Sequence, residues 1–442
     1  MRSVQVIVIG GGASGMMAAI TARRCGAGVL LLEKKENLGK KILATGNGKC
    51  NFTNTMQSPE CYFSSRKDFP WSVVKKFNWQ DSVSWFQEIG ILPRDRDGYL
   101  YPLSGQAASV VHALERELRR LGVQVHTGEE VLAVQRRNRN GVKGFVVTTG
   151  RGEYLAGKIV LSTGGMASPL HGSTGDGYRF AQGLGHHLSA PVPALTSLVL
   201  EGNFMKAWSG VRIQGKVSLY ADVKDGGRGR LQKDVSIKDD SFPKGKLLAT
   251  ARGEIQMVSY GISGIPVFQI SRFAARELER DRKPVLYLDS LPDYGEEWIA
   301  AELLRRRQRD GRQSMGDLLE GMLPDKLAGV LLRQSGIKTA AAAEGISKER
   351  IEKLAAVIKG MRLSVKAVSG FEKAQVTAGG VCVDEVDSDT MESLCCRDLY
   401  LTGELLDVDG TCGGYNLQWA WATGYLGGIG CSGGRLQKGG RL

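Results

Sequence analysis

The chain has 442 residues, 42% apolar and 24% charged. That is enough for two or three domains and too apolar for a disordered polymer. Lys and Arg outnumber Asp and Glu 59 to 46, a net charge of +13; such a balance suits either anionic partners or ordinary solvated basic faces. The eight cysteines contain no Cys-x-x-Cys and the five histidines no ligand spacing, so neither a disulfide scaffold nor a metal centre is expected.

The amino end carries the strongest pattern. An apolar run at residues 4–9 leads into Gly10-Gly11-Gly12-Ala13-Ser14-Gly15, a helical segment follows at 16–25, and a second apolar run at 29–32 ends in Glu33. Strand, glycine turn, helix, strand and acid predict a dinucleotide-binding βαβ unit. Gly10 permits the tight turn, Gly12 lets a pyrophosphate approach the backbone, and Gly15 lets the helix pack against the strand. The helix start presents N–H groups and a positive dipole end to the phosphates. Glu33 stands where a carboxylate bonds a ribose hydroxyl, and it disfavours a 2′-phosphate there. The apolar run goes straight into the turn without a cleavage-site pattern, so a cytoplasmic protein without a membrane span is expected.

Residues 38–54 are rich in glycine, lysine and small amides, and Gly39, Gly46 and Gly48 interrupt both helical and strand periodicity. This reads as a long loop suited to a large anionic ligand, and it favours FAD over NAD. Further on, a helix is predicted at 107–121, strands at 123–126 and 131–134, and a hairpin from 145–149 and 154–155. A strand from 158 ends in Thr163-Gly164-Gly165, and Asp176 opens the next helix.

Composition shifts at Ala190-Pro191-Val192-Pro193. Strands at 196–200, 215–223 and 253–260 read as a barrel or sandwich. Ser263 is the expected cap of a helix with Pro266 in its first turn. Residues 294–359 have helical spacing, and strands resume from 363 through 374–381 and 399–404. The fold class is therefore α/β. A discontinuous Rossmann-like FAD-binding domain (1–190 and 361–432) carries an inserted β-barrel-like module (191–293) and a helical module (294–360). The tail, 433–442, is expected to fray.

The segments Val6-Ile7-Val8-Ile9-Gly10-Gly11-Gly12-Ala13-Ser14-Gly15, Gly46-Asn47-Gly48-Lys49-Cys50-Asn51-Phe52-Thr53-Asn54 and Gly403-Glu404-Leu405-Leu406-Asp407-Val408-Asp409-Gly410 resemble the BaiN/RdsA-type FAD-dependent oxidoreductases. That family includes aminoacetone oxidases and the reductase linked to bile-acid 7-dehydroxylation. The resemblance runs from Val4 to about Gly428 and implies the same three-part layout. It implies that Gly10, Gly12, Ala13, Ser14 and Gly15 hold the pyrophosphate, Glu33 the ribose, and Lys34 and the Val131 backbone the adenine. Lys41, Gly46, Asn47, Gly48, Lys49, Cys50 and Asn51 line the path toward the flavin, with Gly164 near the nucleotide. Gly403, Glu404 and Asp407 face the ribitol and phosphates. Gly414, Asn416 and Leu417 offer N–H groups at a helix start to the flavin pyrimidine ring.

Residues 45–54 hold no histidine, so the FAD is expected to be noncovalent. No second Gly-x-Gly-x-x-Gly lies in the insert, so NAD(P)H is expected as a transient donor. The expected activity is hydride transfer through the flavin to an activated C=C of a small hydrophobic substrate, in the sharpest form a 3-oxo-Δ4,6 bile acid. The alternatives are an amine oxidase of the aminoacetone type using O2 and, in a different class, an RNA-associated flavoprotein. Basic runs at 136–139 and 305–309 lack interleaved aromatics, which counts against a nucleic-acid partner. The sequence points to no general acid and no oligomeric state.

Overall fold

A computed structural model describes residues 2–139, 142–221 and 245–434. The chain divides into two compact units, Met1–Val192 with Ala374–Leu442, and Pro193–Lys373.

The first unit is built on a seven-stranded sheet. Strand β1 (Arg2–Ile9) leads through the glycine turn into helix α1 (Ala13–Arg24) and on to strand β2 (Val29–Leu32). β1 pairs in parallel with β2 on one side and with the strand Gly152–Leu161 on the other. Strands covered on both faces need continuous apolar runs, and Val6 to Ile9 and Val29 to Leu32 are all at most 5% exposed.

The sequence splits residues 154–155 from the strand beginning at 158. The fold joins them into the single strand Gly152–Leu161. Gly157 looks like a break but serves a close approach: a Cβ there would lie 3.0 Å from the Gln5 carbonyl oxygen. The first half of this strand pairs antiparallel with Val142–Thr149, and its end pairs in parallel with Leu399–Leu401.

The helix Tyr415–Ser432 is apolar around its circumference and largely buried, as such a helix must be. It lies directly against α1. A Cβ on Gly424 would overlap the Ser14 carbonyl oxygen, and one on Gly428 would lie 2.7 Å from that of Ala18. Two buried indoles fix its near end, Trp419 donating to the Gly403 carbonyl (3.0 Å) and Trp421 to that of Phe52 (2.9 Å).

The second unit contains a closed six-stranded barrel. Its strands, in barrel order, are Leu198–Leu200, Gly261–Ser263, Leu247–Val258, Arg212–Tyr220, Val285–Asp289 and Met361–Val368, the last pairing with the first. The sequence assigns residues from 361 onward to the nucleotide part, but Met361–Val368 alternates buried and solvent-facing residues and closes the barrel. The helices Glu296–Arg309, Asp325–Gln334 and Lys348–Gly360 share one apolar core with the barrel. In the basic run at 305–309, Arg305 and Arg306 both close on Glu302, at 2.7 and 2.8 Å.

The helix Ile265–Glu279 is capped by Gly264 at φ +103°, not by Ser263. Ser263 ends a barrel strand, and its hydroxyl accepts from Ser197 at 3.1 Å. Residues 222–223 of the strand expected at 215–223, and residues 435–442 of the expected tail, lie outside the described residues.

Candidate dinucleotide site

The glycine turn is built for close approach. Gly10 sits at φ +105°, and a Cβ there would lie 2.5 Å from the Ser162 carbonyl oxygen. A Cβ on Gly15 would overlap the Gly10 carbonyl oxygen, which explains how α1 packs onto the turn. At Gly12, the residue capping α1, a Cβ would meet nothing within 4 Å. The turn therefore opens onto free space, and the amides of Ala13, Ser14 and Gly15 have no carbonyl partner within the helix.

Glu33 is held beside this turn. Its Oε2 accepts the Gly11 amide at 2.7 Å and its Oε1 the Lys35 amide at 2.8 Å. Each oxygen keeps a further lone pair for a ligand hydroxyl. Next to it a partly open pocket is lined by Glu33, Lys34, Glu129, Val131, Thr163 and Asp176 among others. Gly164 follows Thr163 at φ +72°, where a Cβ would lie 3.0 Å from Ser173 Oγ.

Lys34 does not reach freely into this cavity. Its Nζ is 2.5 Å from Asp176 Oδ2 and is also bonded to Thr174 Oγ1. Burial pushes the Asp176 carboxyl up, but the hydrogen bonds from Lys34 and Thr174 and the charges of Lys34 and Arg179 together hold it below its ordinary range. Glu129, which sequence reasoning missed, is a buried member of the lining: its carboxylate accepts Thr149 Oγ1 and Tyr154 Oη, both at 2.8 Å. Its other close partner is His126 Nδ1, at 3.1 Å, but the two hydroxyls come from separate strands, which its local sequence does not mark.

The segment after β2 is more regular than its glycines suggest. Lys40–Ala44 forms a short helix, and Gly46, Asn47 and Gly48 then turn the chain with positive φ. Asn47, Gly48 and Lys49 are exposed. Cys50 is fully buried, and burial pushes its thiol up to about 12, so it carries no thiolate at neutral pH. Asn51 is 8% exposed, and its buried Oδ1 has no hydrogen-bond partner.

The carboxyl-side segment meets these elements. A Cβ on Gly403 would overlap Ser14 Oγ, and the Gly403 amide donates to Thr423 Oγ1 at 2.9 Å. Glu404 pairs with Lys41 at 2.6 Å and accepts the Thr377 amide at 2.8 Å; Thr377 is a further residue that sequence reasoning missed. Asp407 is buried and accepts the Ser65 amide at 3.2 Å. The Asn416 side chain bonds both the amide and the carbonyl of Gly410, at 2.8 and 2.9 Å, and so shapes the turn instead of facing outward. Gly414 caps the helix Tyr415–Ser432 at φ +91°; a Cβ there would lie 2.7 Å from the Thr53 carbonyl oxygen and 2.9 Å from Asn51 Oδ1. Tyr415, Asn416 and Leu417 thus present a second set of amides without helical partners.

Two helix starts with free amides, a cleared glycine cradle, an oriented carboxylate and an unsatisfied amide oxygen form a set of donors and acceptors that fits a dinucleotide. Fold and cradle define a Rossmann-like FAD-binding protein. The chain belongs to the HI0933-like protein Rossmann domain family, which matches residues 4–430. It is 41% identical to a 3-dehydro-bile acid delta(4,6)-reductase of Clostridium scindens, covering 95% of this chain and 97% of that protein. It is 29% identical to a ribosomal RNA dihydrouridine synthase of Haemophilus influenzae, over 95% of this chain and 96% of that one. The solved 3-ketosteroid-delta4-(5alpha)-dehydrogenase of Rhodococcus jostii RHA1 is similar at 15% identity and a TM-score of 0.47, covering 98% of this chain and 97% of that chain. By family and by its likeness to a reductase, the chain is an oxidoreductase. Among the described residues, no helix is long and apolar enough to cross a membrane.

Proposed function

We propose that the protein is an FAD-dependent reductase of a C=C bond conjugated to a carbonyl group, with NAD(P)H as the electron source. The observation that carries this reading is the convergence of the α1 start, Glu33, the Lys41–Glu404 pair and the Gly414 helix start within one unit. Gly10, Gly12, Ala13, Ser14 and Gly15 hold the pyrophosphate, Glu33 the adenosine ribose, and the Val131 backbone the adenine. Lys34, tied to Asp176, borders the adenine side. Lys41 and Glu404 meet phosphate and ribitol together, the lysine neutralising a carboxylate that would otherwise repel the phosphates. The amides of Asn416 and Leu417 offer a positive dipole end to negative charge on the bound ring. Bound FAD supplies hydride transfer through N5.

The first substrate reading is a 3-oxo-Δ4,6 bile acid, from the 41% identical relative. A second reading, a uracil base in ribosomal RNA, is favoured by the net charge of +13 and by the dihydrouridine synthase relative. Both substrates present a C=C in conjugation with a carbonyl. The test is to record the visible spectrum of the purified protein, reduce it anaerobically with NADH or NADPH, and mix it with the dienone acid, with unmodified ribosomal RNA, or with aminoacetone and O2. Reoxidation by the dienone or by RNA selects between the two readings. Peroxide formation from the amine with neither C=C substrate consumed rejects both. A colourless protein that takes up no FAD rejects the cofactor assignment.

A further inference from the structure

We propose that His186, Glu385 and Cys395 form a site for a divalent transition-metal ion, zinc by its mixed nitrogen, oxygen and sulfur donors. The three residues come from separate segments. His186 follows the helix Asp176–Gly183, Glu385 ends the 3-10 turn Val383–Glu385, and Cys395 precedes the strand Leu399–Leu401. Their ligand atoms all lie within 4.8 Å of one another. His186 Nδ1 is 3.0 Å from Glu385 Oε2, and His187 Nδ1 is 2.5 Å from Oε1 of the same carboxylate.

The site has the outer support that metal ligands need. The His186 side chain is completely buried. Its Nε2 is 2.7 Å from Ser393 Oγ, the atom that also accepts the amides of Cys395 at 3.1 Å and Cys396 at 2.8 Å. One serine thus orients the imidazole and shapes the loop that carries the thiol. Tetrahedral zinc sets bond lengths of about 2.0–2.3 Å, and hence ligand separations of about 3.3–3.8 Å, so the 3.0 Å His186–Glu385 pair must open slightly while wider separations, all within 4.8 Å, close. The movable members are Cys395, which is exposed, and His187, whose side chain is 83% exposed and which can supply the fourth ligand.

Binding forms a bond from Nδ1, from a carboxylate oxygen and from the thiolate. The Cys395 thiol proton leaves to solvent, the imidazole proton resides on Nε2 facing Ser393, and no atom changes oxidation state.

The test uses untagged full-length protein as purified, stripped with chelator, dialysed and titrated calorimetrically with zinc sulfate. One equivalent should bind and raise the melting temperature. Cys395→Ser and His186→Gln should each weaken binding more than about 100-fold, beyond the usual loss for an outer partner. Cys395→Ser alters an exposed side chain and keeps the test valid should His186→Gln misfold. Absence of zinc uptake by the unaltered protein, or equal uptake by Cys395→Ser, overturns the proposal.

Discussion

Lys41 Nζ lies 2.6 Å from Glu404 Oε2, although the two residues are 363 positions apart. Both side chains are mostly buried, at 25% and 19% exposure, and the second carboxylate oxygen accepts the Thr377 amide at 2.8 Å. The pair joins the segment after β2 to the turn that precedes the helix Tyr415–Ser432.

Removing Glu404 should therefore act on both segments. Glu404→Gln keeps an acceptor for Thr377 and loses only the charge pairing, a cost of about 1 kcal/mol; Glu404→Ala leaves Lys41 and the Thr377 amide unpaired and should cost about 2–3 kcal/mol. Thermal unfolding with retained FAD absorbance measures both. Equal effects of the two substitutions would show that the hydrogen bond to Thr377 is immaterial.

Gly424→Ala should invert the usual rule for helices. In an open helix interior, alanine for glycine gains about 1 kcal/mol. Here the added methyl meets the Ser14 carbonyl, and overpacking of this kind costs about 1–3 kcal/mol. Gly329→Ala is the control, because its Cβ would approach nothing closer than 3.9 Å. The melting temperature should fall for the first and rise for the second.

Cys50 should be chemically silent. Its thiol and that of Cys431 are both pushed up to about 12 by burial; the Cys395 thiol is also raised, by partial burial and the Glu385 charge, but its side chain is exposed to reagent. Iodoacetamide at neutral pH, followed by peptide mass spectrometry, should label Cys395 in metal-free protein and leave Cys50 and Cys431 unmodified. Labelling of Cys50 in the native state would refute its buried placement.

Glu129 should make stability pH-dependent in acid. Burial raises its carboxyl, but hydrogen bonds from Thr149 and Tyr154 and the neighbouring His126 hold it below the ordinary 4.5. A depressed carboxyl stabilises fully above its unfolded value and loses that contribution as pH falls through its folded value. Glu129→Gln should cost about 1–3 kcal/mol at neutral pH. The gap in melting temperature from the unaltered protein should narrow progressively in acid below 4.5. A gap independent of pH would mean that the charge contributes nothing.

The β1–α1–β2 unit was legible because its requirements are local. Two apolar runs are buried on both faces, Gly10 turns the chain at φ +105°, and Gly15 crowds the Gly10 carbonyl five residues before it. Elements that depend on distant partners were misread. Gly157 looked like a strand break until the Gln5 carbonyl was seen against it. Ser263 looked like a helix cap, yet its backbone belongs to a barrel strand.

By itself the sequence determined the glycine turn, the acid beside it and the family, because a tight turn, a helix start and an apolar run are written in consecutive residues. Tertiary structure alone decided that Lys34 is tethered by Asp176, that Lys41 meets Glu404, that Met361–Val368 closes the barrel and that two histidines share Glu385. Each of those is a contact between segments far apart in the chain, and spacing along one strand of polymer carries no record of which distant side chain will stand opposite.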